Sequence, residues 1–145
     1  MIRLVKLEQC HLDGIQLQPK QDKRWFTGEL GAMLLEQPFS FALVDDVTAW
    51  AVGGAVETHD GVARMWVGIA EDAGTRLLMV IRWTQRAIES LFGNGFHRVE
   101  AHVKTDFAEA HRMVRLLGME FEGIMRQYGP DREDYALYAR VKDHG

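Results

Sequence analysis

The sequence predicts an α/β (α+β) domain: a mixed central sheet of six to seven strands with helices on both faces. The predicted elements run as a meander of strands, followed by helix, strand, helix, strand and strand. A helix that joins two strands implies a parallel pair through a right-handed crossover, whereas hairpins give antiparallel pairs, so both kinds of pairing are expected. The chain has 145 residues, which is about one domain, so residues 1–145 are expected to fold around a single core.

The first third of the chain has the weakest patterns. A short strand is predicted at residues 2–5. Between residues 8 and 36, the spacing of Leu30, Met33 and Leu34 favours a helix capped by Thr27.

Three strands are predicted next, at residues 39–44, 48–57 and 62–69. Asp60 and Gly61 separate the last two and form a good hairpin signal. Gly53 and Gly54 lie within the middle strand, where glycine is typical of a bulge or of a close approach between strands.

The second half alternates helices and strands. A long amphipathic helix is predicted at residues 74–92, a strand at 98–103, and two final strands at 119–128 and 135–141. A second helix lies between them. Asp106 stands where an N-cap is expected, with Glu109 three residues later, and Gly118 stands where a left-handed C-terminal cap is expected.

Composition excludes several classes of protein. The net charge of −4 and the pI near 5.8 argue against a nucleic-acid-binding protein, whose surface would be basic. No apolar run approaches the roughly 18 residues of a membrane span, and the N-terminus carries frequent charges, unlike a signal peptide. Cys10 is the only cysteine, so no internal disulfide forms, and we expect a cytoplasmic protein with Cys10 as a small buried side chain.

One stretch carries a family resemblance. TDFAEAHRMVRLLGMEFEG resembles the last helix and the following strand of the GCN5-related N-acetyltransferases, and the ending YGPDREDYALYARV resembles that family's closing hairpin. The element order from residue 41 to residue 141 agrees as well. The residues that match the family's motif are Ala110, Gly118, Met119, Glu122 and Gly123.

The resemblance implies an acyl-CoA N-acyltransferase-like fold, acetyl-CoA as the acetyl donor, and no metal. In the family, a glycine-containing loop and the helix after it bind the coenzyme A pyrophosphate through backbone amides. Here that loop is altered, because Glu71 and Asp72 would repel a diphosphate while Arg76 would attract one. The residues that the resemblance assigns to cofactor binding are Val67, Gly68, Ile69, Ala73, Gly74, Thr75, Arg76 and Phe107.

The catalytic residues are harder to transfer. The family's motif asparagine falls on Phe107, and the tyrosine that protonates the departing thiolate falls on Val114. We predict His102 as the general base, because imidazole titrates near neutral pH, and Tyr128 as the acid. The alternative is that His102 is a half-exposed strand residue and Tyr128 packs in the hairpin.

Two further expectations concern ligands. The segment before the second strand often forms the family's acceptor pocket, so Trp25 and Phe26 are predicted to contact the acceptor; the alternative is packing onto the sheet. The histidines show no metal-ligand spacing, since His97 and His102 point to opposite faces of a strand.

Two functions therefore stay open. The first is an acetyl-CoA-dependent N-acetyltransferase acting on a small amine or a protein amino group, with no nucleic-acid or membrane partner and with a homodimer allowed. The second is a non-catalytic protein on the same fold, similar to the acetyltransferase-like accessory proteins of tailed bacteriophages. The loop from Ala70 to Arg76 separates them: free amides around an anion-sized cup favour the enzyme, and side chains filling that cup favour the second function.

Overall fold

The strands form one seven-stranded sheet in the computed structural model, which describes residues 2–46 and 48–143. The strands are β1 (Ile2–Lys6), β2 (Phe39–Asp45), β3 (Thr48–His59), β4 (Val62–Ile69), β5 (Arg98–Lys104), β6 (Glu120–Met125) and β7 (Tyr135–Val141). The α-helices of the described residues are α1 (Gln9–Gly14), α2 (Gly28–Glu36), α3 (Arg76–Gly93) and α4 (Ala108–Leu116), and a short 3₁₀ helix covers Lys23–Phe26. None of these helices is long and apolar enough to cross a membrane.

The sheet is mixed, as predicted. Its strands are hydrogen-bonded in the order β1-β2-β3-β4-β5-β7-β6. β4 and β5 are parallel, with Val62 opposite Arg98 and Arg64 opposite Glu100. β7 is antiparallel to both β5 and β6, so β5 and β6 run in the same direction. The predicted crossover between two parallel strands is therefore confirmed.

The backbone divides into two compact units. Unit 1 comprises Met1–Val56 and Met65–Val80, and unit 2 comprises Glu57–Arg64 and Ile81–Gly145. The expectation of a single domain stays a prediction.

Unit 1 is built around a cluster of buried apolar side chains. Its members come from β2, β3, α1, α2, the 3₁₀ helix and the residues directly after β1, α1 and β4: Leu7, Leu12, Ile15, Phe26, Leu34, Ala42, Val44, Val52 and Ala70. The close strand approach predicted at the glycine pair is confirmed. A Cβ on Gly54 would overlap the carbonyl oxygen of Phe39, and one on Gly53 would lie 3.2 Å from the carbonyl oxygen of Trp66.

Unit 2 buries one face of β5 and the side chains around it. Ile88, Val99, Leu117 and Tyr138 are each at most 1% exposed. Helix α4 ends as predicted: Gly118 has a φ of 83°, its amide bonds to the carbonyl of Arg115, and the amide of Met119 bonds to that of Val114. These two hydrogen bonds form a Schellman motif, in which the residue with the left-handed conformation is usually glycine.

Helix and strand ends correct the sequence prediction in three places. The N-cap of α4 is Phe107 and not Asp106. The long helix begins at Arg76, because Gly74 adopts a left-handed φ of 57° that interrupts the helical backbone. The strand predicted to reach residue 128 ends at Met125, because Gln127 has a φ of 54° and its amide bonds to the Asp134 carboxylate at 2.8 Å.

A fourth correction concerns Cys10. Its side chain is exposed and not buried. It lies in α1, a six-residue helix that buries only Leu12, so the rest of the helix faces outward. This helix and the 3₁₀ helix are absent from the sequence prediction.

Candidate functional site

The end of β4 contains three residues predicted to bind the cofactor, and backbone groups of two of them, Val67 and Ile69, already have partners. The side chain of Gln21 donates to the carbonyl of Val67 at 2.8 Å and accepts from the amide of Ile69 at 2.7 Å. The Ile69 carbonyl accepts the amide of Gln18 at 3.0 Å. Gly68 is tightly enclosed, since a Cβ there would lie 3.0 Å from Leu17.

The turn after β4 forms the loop expected to bind phosphate. The amide of Ala73 bonds to the carbonyl of Ala70 at 3.2 Å, and that of Arg76 bonds to Ala73 at 3.0 Å. The Arg76 amide is therefore not free to bind phosphate, because this turn uses it to close the chain before α3. Within the described residues, the amides of Gly74 and Thr75 have no hydrogen-bond partner. We name residues 67–76 the donor loop.

Arg76 directs its side chain back onto unit 1. The guanidinium carbon lies 3.9 Å from the centre of the Trp50 ring, and a terminal nitrogen lies 3.9 Å from the Asp45 carboxylate. The Nε atom is buried without a hydrogen-bond partner in the described residues. Glu71 and Asp72 are exposed. Arg76 is therefore the positive group of the donor loop, but Asp45 and Trp50 compete for it.

Three predicted ligand residues pack in the protein interior. Phe26 is 6% exposed, belongs to the unit 1 core, and lies with its ring 5.8 Å from that of Trp66. Trp25 is half-buried and packs against the same core. Phe107 is 8% exposed at the start of α4 in unit 2. The packing alternative for Trp25 and Phe26 agrees with these contacts, and the ligand roles of Trp25, Phe26 and Phe107 stay predictions.

The predicted base and acid come together in unit 2. The rings of His102 and Tyr128 are 5.1 Å apart and nearly perpendicular, and the Tyr128 ring also lies 5.5 Å from that of Tyr135. Arg64 donates from Nη1 to the Tyr128 hydroxyl at 3.3 Å. His102 and Arg64 are half-buried, and Tyr128 is 36% exposed. We name these four residues the acid–base cluster.

The surroundings of His102 favour its neutral form. Burial lowers the pKa of its imidazole below the ordinary value of 6.5, the positive charge of Arg64 lowers this pKa further, and Glu100 opposes both effects. A neutral imidazole is the form that accepts a proton, so the cluster suits general base catalysis near neutral pH.

Gln21 and Arg64 are not among the site residues predicted from the sequence. Gln21 lies in an irregular segment, where nothing in the sequence indicates that its side chain would bond to a strand 46 residues later. Arg64 is the one charged residue of β4 (VARMWVGI), which indicates that its side chain does not enter the apolar core. Its closeness to Tyr128 depends on the fold of the closing hairpin, which local patterns do not give.

A possible group of metal ligands occurs elsewhere in the described residues. Potential ligand atoms of Glu8, Cys10 and His11 lie within 4.8 Å of one another, with Glu8 and Cys10 exposed. The Nδ1 atom of His11 already accepts the amide hydrogen of Glu8 at 3.0 Å. The expectation that the protein uses no metal stays a prediction.

Comparison with solved structures identifies the fold. Ard1 from Thermoplasma volcanium has a TM-score of 0.82 at 12% identity, with 99% of each chain covered. The ribosomal-protein-S18-alanine N-acetyltransferase of Escherichia coli has a TM-score of 0.73 at 18% identity, covering 100% of this chain and 97% of its own. A mutant spermidine N-acetyltransferase of Vibrio cholerae has a TM-score of 0.68 at 15% identity, covering 97% and 93%.

The likeness is structural. No protein-family model and no curated protein sequence matches the chain. The chain has the fold of the GCN5-related N-acetyltransferases, which confirms the resemblance read from residues 105–123 at the level of fold. The similarity to bacteriophage proteins stays a prediction.

Proposed function

We propose that the protein is an N-acetyltransferase that uses acetyl-CoA to acetylate an amine, within a single cytoplasmic domain. The observation that carries the proposal is the acid–base cluster. The rings of His102, whose surroundings favour the neutral imidazole, and of Tyr128, which carries a hydroxyl, lie 5.1 Å apart, and acetyl transfer uses one group as a base and another as an acid. The fold shared with an alanine N-acetyltransferase and a spermidine N-acetyltransferase supports the same reaction class.

The donor loop fits an anionic donor in part. Backbone amides before a helix bind phosphate oxygens, and the amides of Gly74 and Thr75, like that of Asp72, have no hydrogen-bond partner among the described residues. Arg76 adds the positive charge that favours a diphosphate. The backbone groups of Val67 and Ile69 would become available only after Gln21 leaves them.

The proposed chemistry assigns one proton transfer to each member of the pair. The acceptor nitrogen attacks the acetyl carbonyl carbon, a C–N bond forms, and the C–S bond of the thioester breaks. His102 takes the proton that the nitrogen loses, and Tyr128 gives its proton to the departing thiolate sulfur. The hydrogen bond from Arg64 to the Tyr128 oxygen stabilises the negative charge that this oxygen then carries.

The acceptor is a small amine or a protein amino group. The enzymes with similar structures are named for different acceptors, the alanine of a ribosomal protein in one case and spermidine in another. Both acceptors present an amine that must lose a proton, which is the requirement that His102 would meet.

Calorimetric titration with acetyl-CoA, followed by mass spectrometry of amines incubated with protein and donor, tests the proposal. We expect saturable acetyl-CoA binding and an acetylated product with a mass increase of one acetyl group. Tyr128→Phe should retain donor binding and lose most of the product. Absence of donor binding by the unmodified protein would favour the non-catalytic alternative.

A further inference from the structure

Among the residues that the structure describes, Arg64 has no side chain of opposite charge as an ion-pair partner. It lies on β4 opposite Glu100 of β5, the acidic residue nearest to it in the strand register. The Glu100 carboxylate is bound by the Arg98 guanidinium at 2.7 Å, and Arg98 also binds Glu122 at 2.6 Å. Among the described residues, Arg64 forms no ion pair, and its hydrogen bond goes to the neutral Tyr128 hydroxyl.

The chemistry of the Arg64 guanidinium indicates which kind of ligand would bind it. It has five N–H donors in a planar fork that matches the two oxygens of a carboxylate, and a single donor of Arg64 is used at 3.3 Å. Arg64 is half-buried, so its charge is less hydrated than that of a fully exposed arginine. A positive group placed this way attracts an anion from solution and repels a second cation.

The location of Arg64 sets where this anion would lie. Its Nη1 bonds to the hydroxyl of Tyr128, and the Tyr128 ring touches that of His102. In the proposed function these are the groups that contact the reacting amine and thiolate. An anionic group bound by Arg64 would therefore lie close to the reacting amine. The two groups could belong to one small molecule in which a few covalent bonds separate them.

We propose that Arg64 binds a carboxylate of the acceptor, and that the acceptor is a small amino acid in which the amine and the carboxylate are separated by only a few bonds. This inference rests on the proposed acetyltransferase function. It makes polyamines poor acceptors, because each additional ammonium group approaches the same guanidinium. Arg64 is then a specificity-determining residue in addition to stabilising the Tyr128 oxygen, and it neither gives nor takes a proton itself.

Matched acceptors test the proposal. L-amino acids, their carboxamides and peptides beginning with the same residues differ in the carboxylate next to the amine and share the amine itself. We expect kcat/KM to be about ten-fold or more higher for an amino acid than for its carboxamide, as for the loss of one charge-assisted hydrogen bond. Arg64→Gln should remove this discrimination, and Arg64→Lys should restore part of it because the charge returns without the fork.

Arg112→Gln is the matched control, because Arg112 is an exposed arginine on α4. It should keep the full preference for the carboxylate. Equal use of amino acids and carboxamides, or an unchanged preference in Arg64→Gln with native circular dichroism, would overturn the proposal. Preference for peptides over free amino acids would overturn the assignment of a small acceptor.

A binding measurement separates this inference from the proposed function. The ring resonances of His102 should shift when an L-amino acid is titrated into the protein, should shift little with its carboxamide, and should be insensitive to both in Arg64→Gln. If these shifts occur but no acetylated product forms, carboxylate binding by Arg64 is supported and the acetyltransferase function is contradicted. If acetylated product forms without these shifts, the acetyltransferase function is supported and carboxylate binding by Arg64 is contradicted.

Discussion

The side-chain amide of Gln21 donates to the carbonyl oxygen of Val67 at 2.8 Å, across 46 residues of sequence. Its oxygen also accepts the amide of Ile69, so one carboxamide satisfies two backbone groups at the end of β4. Under the proposed function, the amide groups of acetyl-CoA would hydrogen-bond to the same carbonyl of Val67 and the same amide of Ile69. Under this function, Gln21 would therefore compete with the donor for these two backbone groups.

Replacing Gln21 by alanine should tighten donor binding. Gln21→Ala removes two hydrogen bonds of about 1 kcal/mol each, so we expect roughly a five-fold or greater gain in acetyl-CoA affinity and a comparable loss of folding free energy. Calorimetry and urea unfolding measure the two effects. Gln18→Ala is the control, because Gln18 bonds to Ile69 through its backbone amide, which the substitution keeps. Weaker donor binding by Gln21→Ala would mean that Gln21 supports the site.

Tyr128 and His102 should affect turnover more than donor affinity. Tyr128→Phe removes the hydroxyl that would protonate the thiolate, and His102→Ala removes the base; general acid or base catalysis typically contributes about 10²–10⁴-fold. Steady-state rates and donor titrations on the same preparations separate the two quantities. If Tyr128→Phe keeps full activity, another group or water is the acid.

The titration of His102 should respond to Arg64. Burial and the Arg64 charge both lower the pKa of His102, so nuclear magnetic resonance should place it below 6.5, and Arg64→Gln should raise it. The acid limb of the rate profile should then move to higher pH. A His102 pKa unchanged by Arg64→Gln would show that the two side chains do not interact in solution.

The same shift has a consequence for stability. Because the unfolded imidazole titrates near its ordinary value, the unfolded state binds more protons just below that pH. The contribution of His102 to the free energy of unfolding should therefore be constant above about pH 6.5. It should fall as the pH drops from about 6.5 through the lower pKa of the folded state. Thermal unfolding across this range, compared with His102→Ala, measures the contribution.

Charge reversal at Arg76 should weaken donor binding. Arg76→Glu replaces a group that attracts phosphate by one that repels it, so we expect about a ten-fold or greater loss of acetyl-CoA affinity. It also places a carboxylate near Asp45, whose oxygen is 3.9 Å from the present guanidinium, so some stability should be lost. Arg82→Glu, at an exposed position of α3, is the control. Equal affinities of the two variants would remove Arg76 from the site.

The glycine pair of β3 should be sensitive to a single methyl group. In Gly54→Ala the new Cβ overlaps the carbonyl oxygen of Phe39, and backbone cannot move aside as a flexible side chain does. We expect a loss of about 3 kcal/mol of unfolding free energy. Gly14→Ala should change it by less than about 1 kcal/mol, because no atom lies within 4 Å of that position. Denaturant unfolding of both variants provides the comparison.

Strands were predictable where alternation and turn residues agree. The bounds of β4 and β7 match the prediction at both ends, because Gly61 and the Gly129-Pro130 turn interrupt a strong apolar pattern. Gly118 was predictable because its left-handed conformation needs only local chain geometry. Helix α1 was not, since six residues are too few to show a helical period.

The choice of His102 and Tyr128 followed from chemistry and from the expected strand directions, and the structure places their rings 5.1 Å apart, while their catalytic roles stay predictions. The hydrogen bonds of Gln21 and Arg64 connect positions more than 40 residues apart, and each depends on how a loop or hairpin folds back. The periodicity of a sequence does not show which residues far apart along the chain form hydrogen bonds.

The exposure of Cys10 bears on how the protein is assayed. It is the single thiol of the chain and it faces solvent, so colorimetric reagents for liberated coenzyme A will also titrate one sulfhydryl per polypeptide. The same thiol offers a unique attachment point for a fluorophore on α1, six residues before Gln16 and eleven before Gln21. A dye at this position would report displacement of that segment without a second cysteine having to be removed.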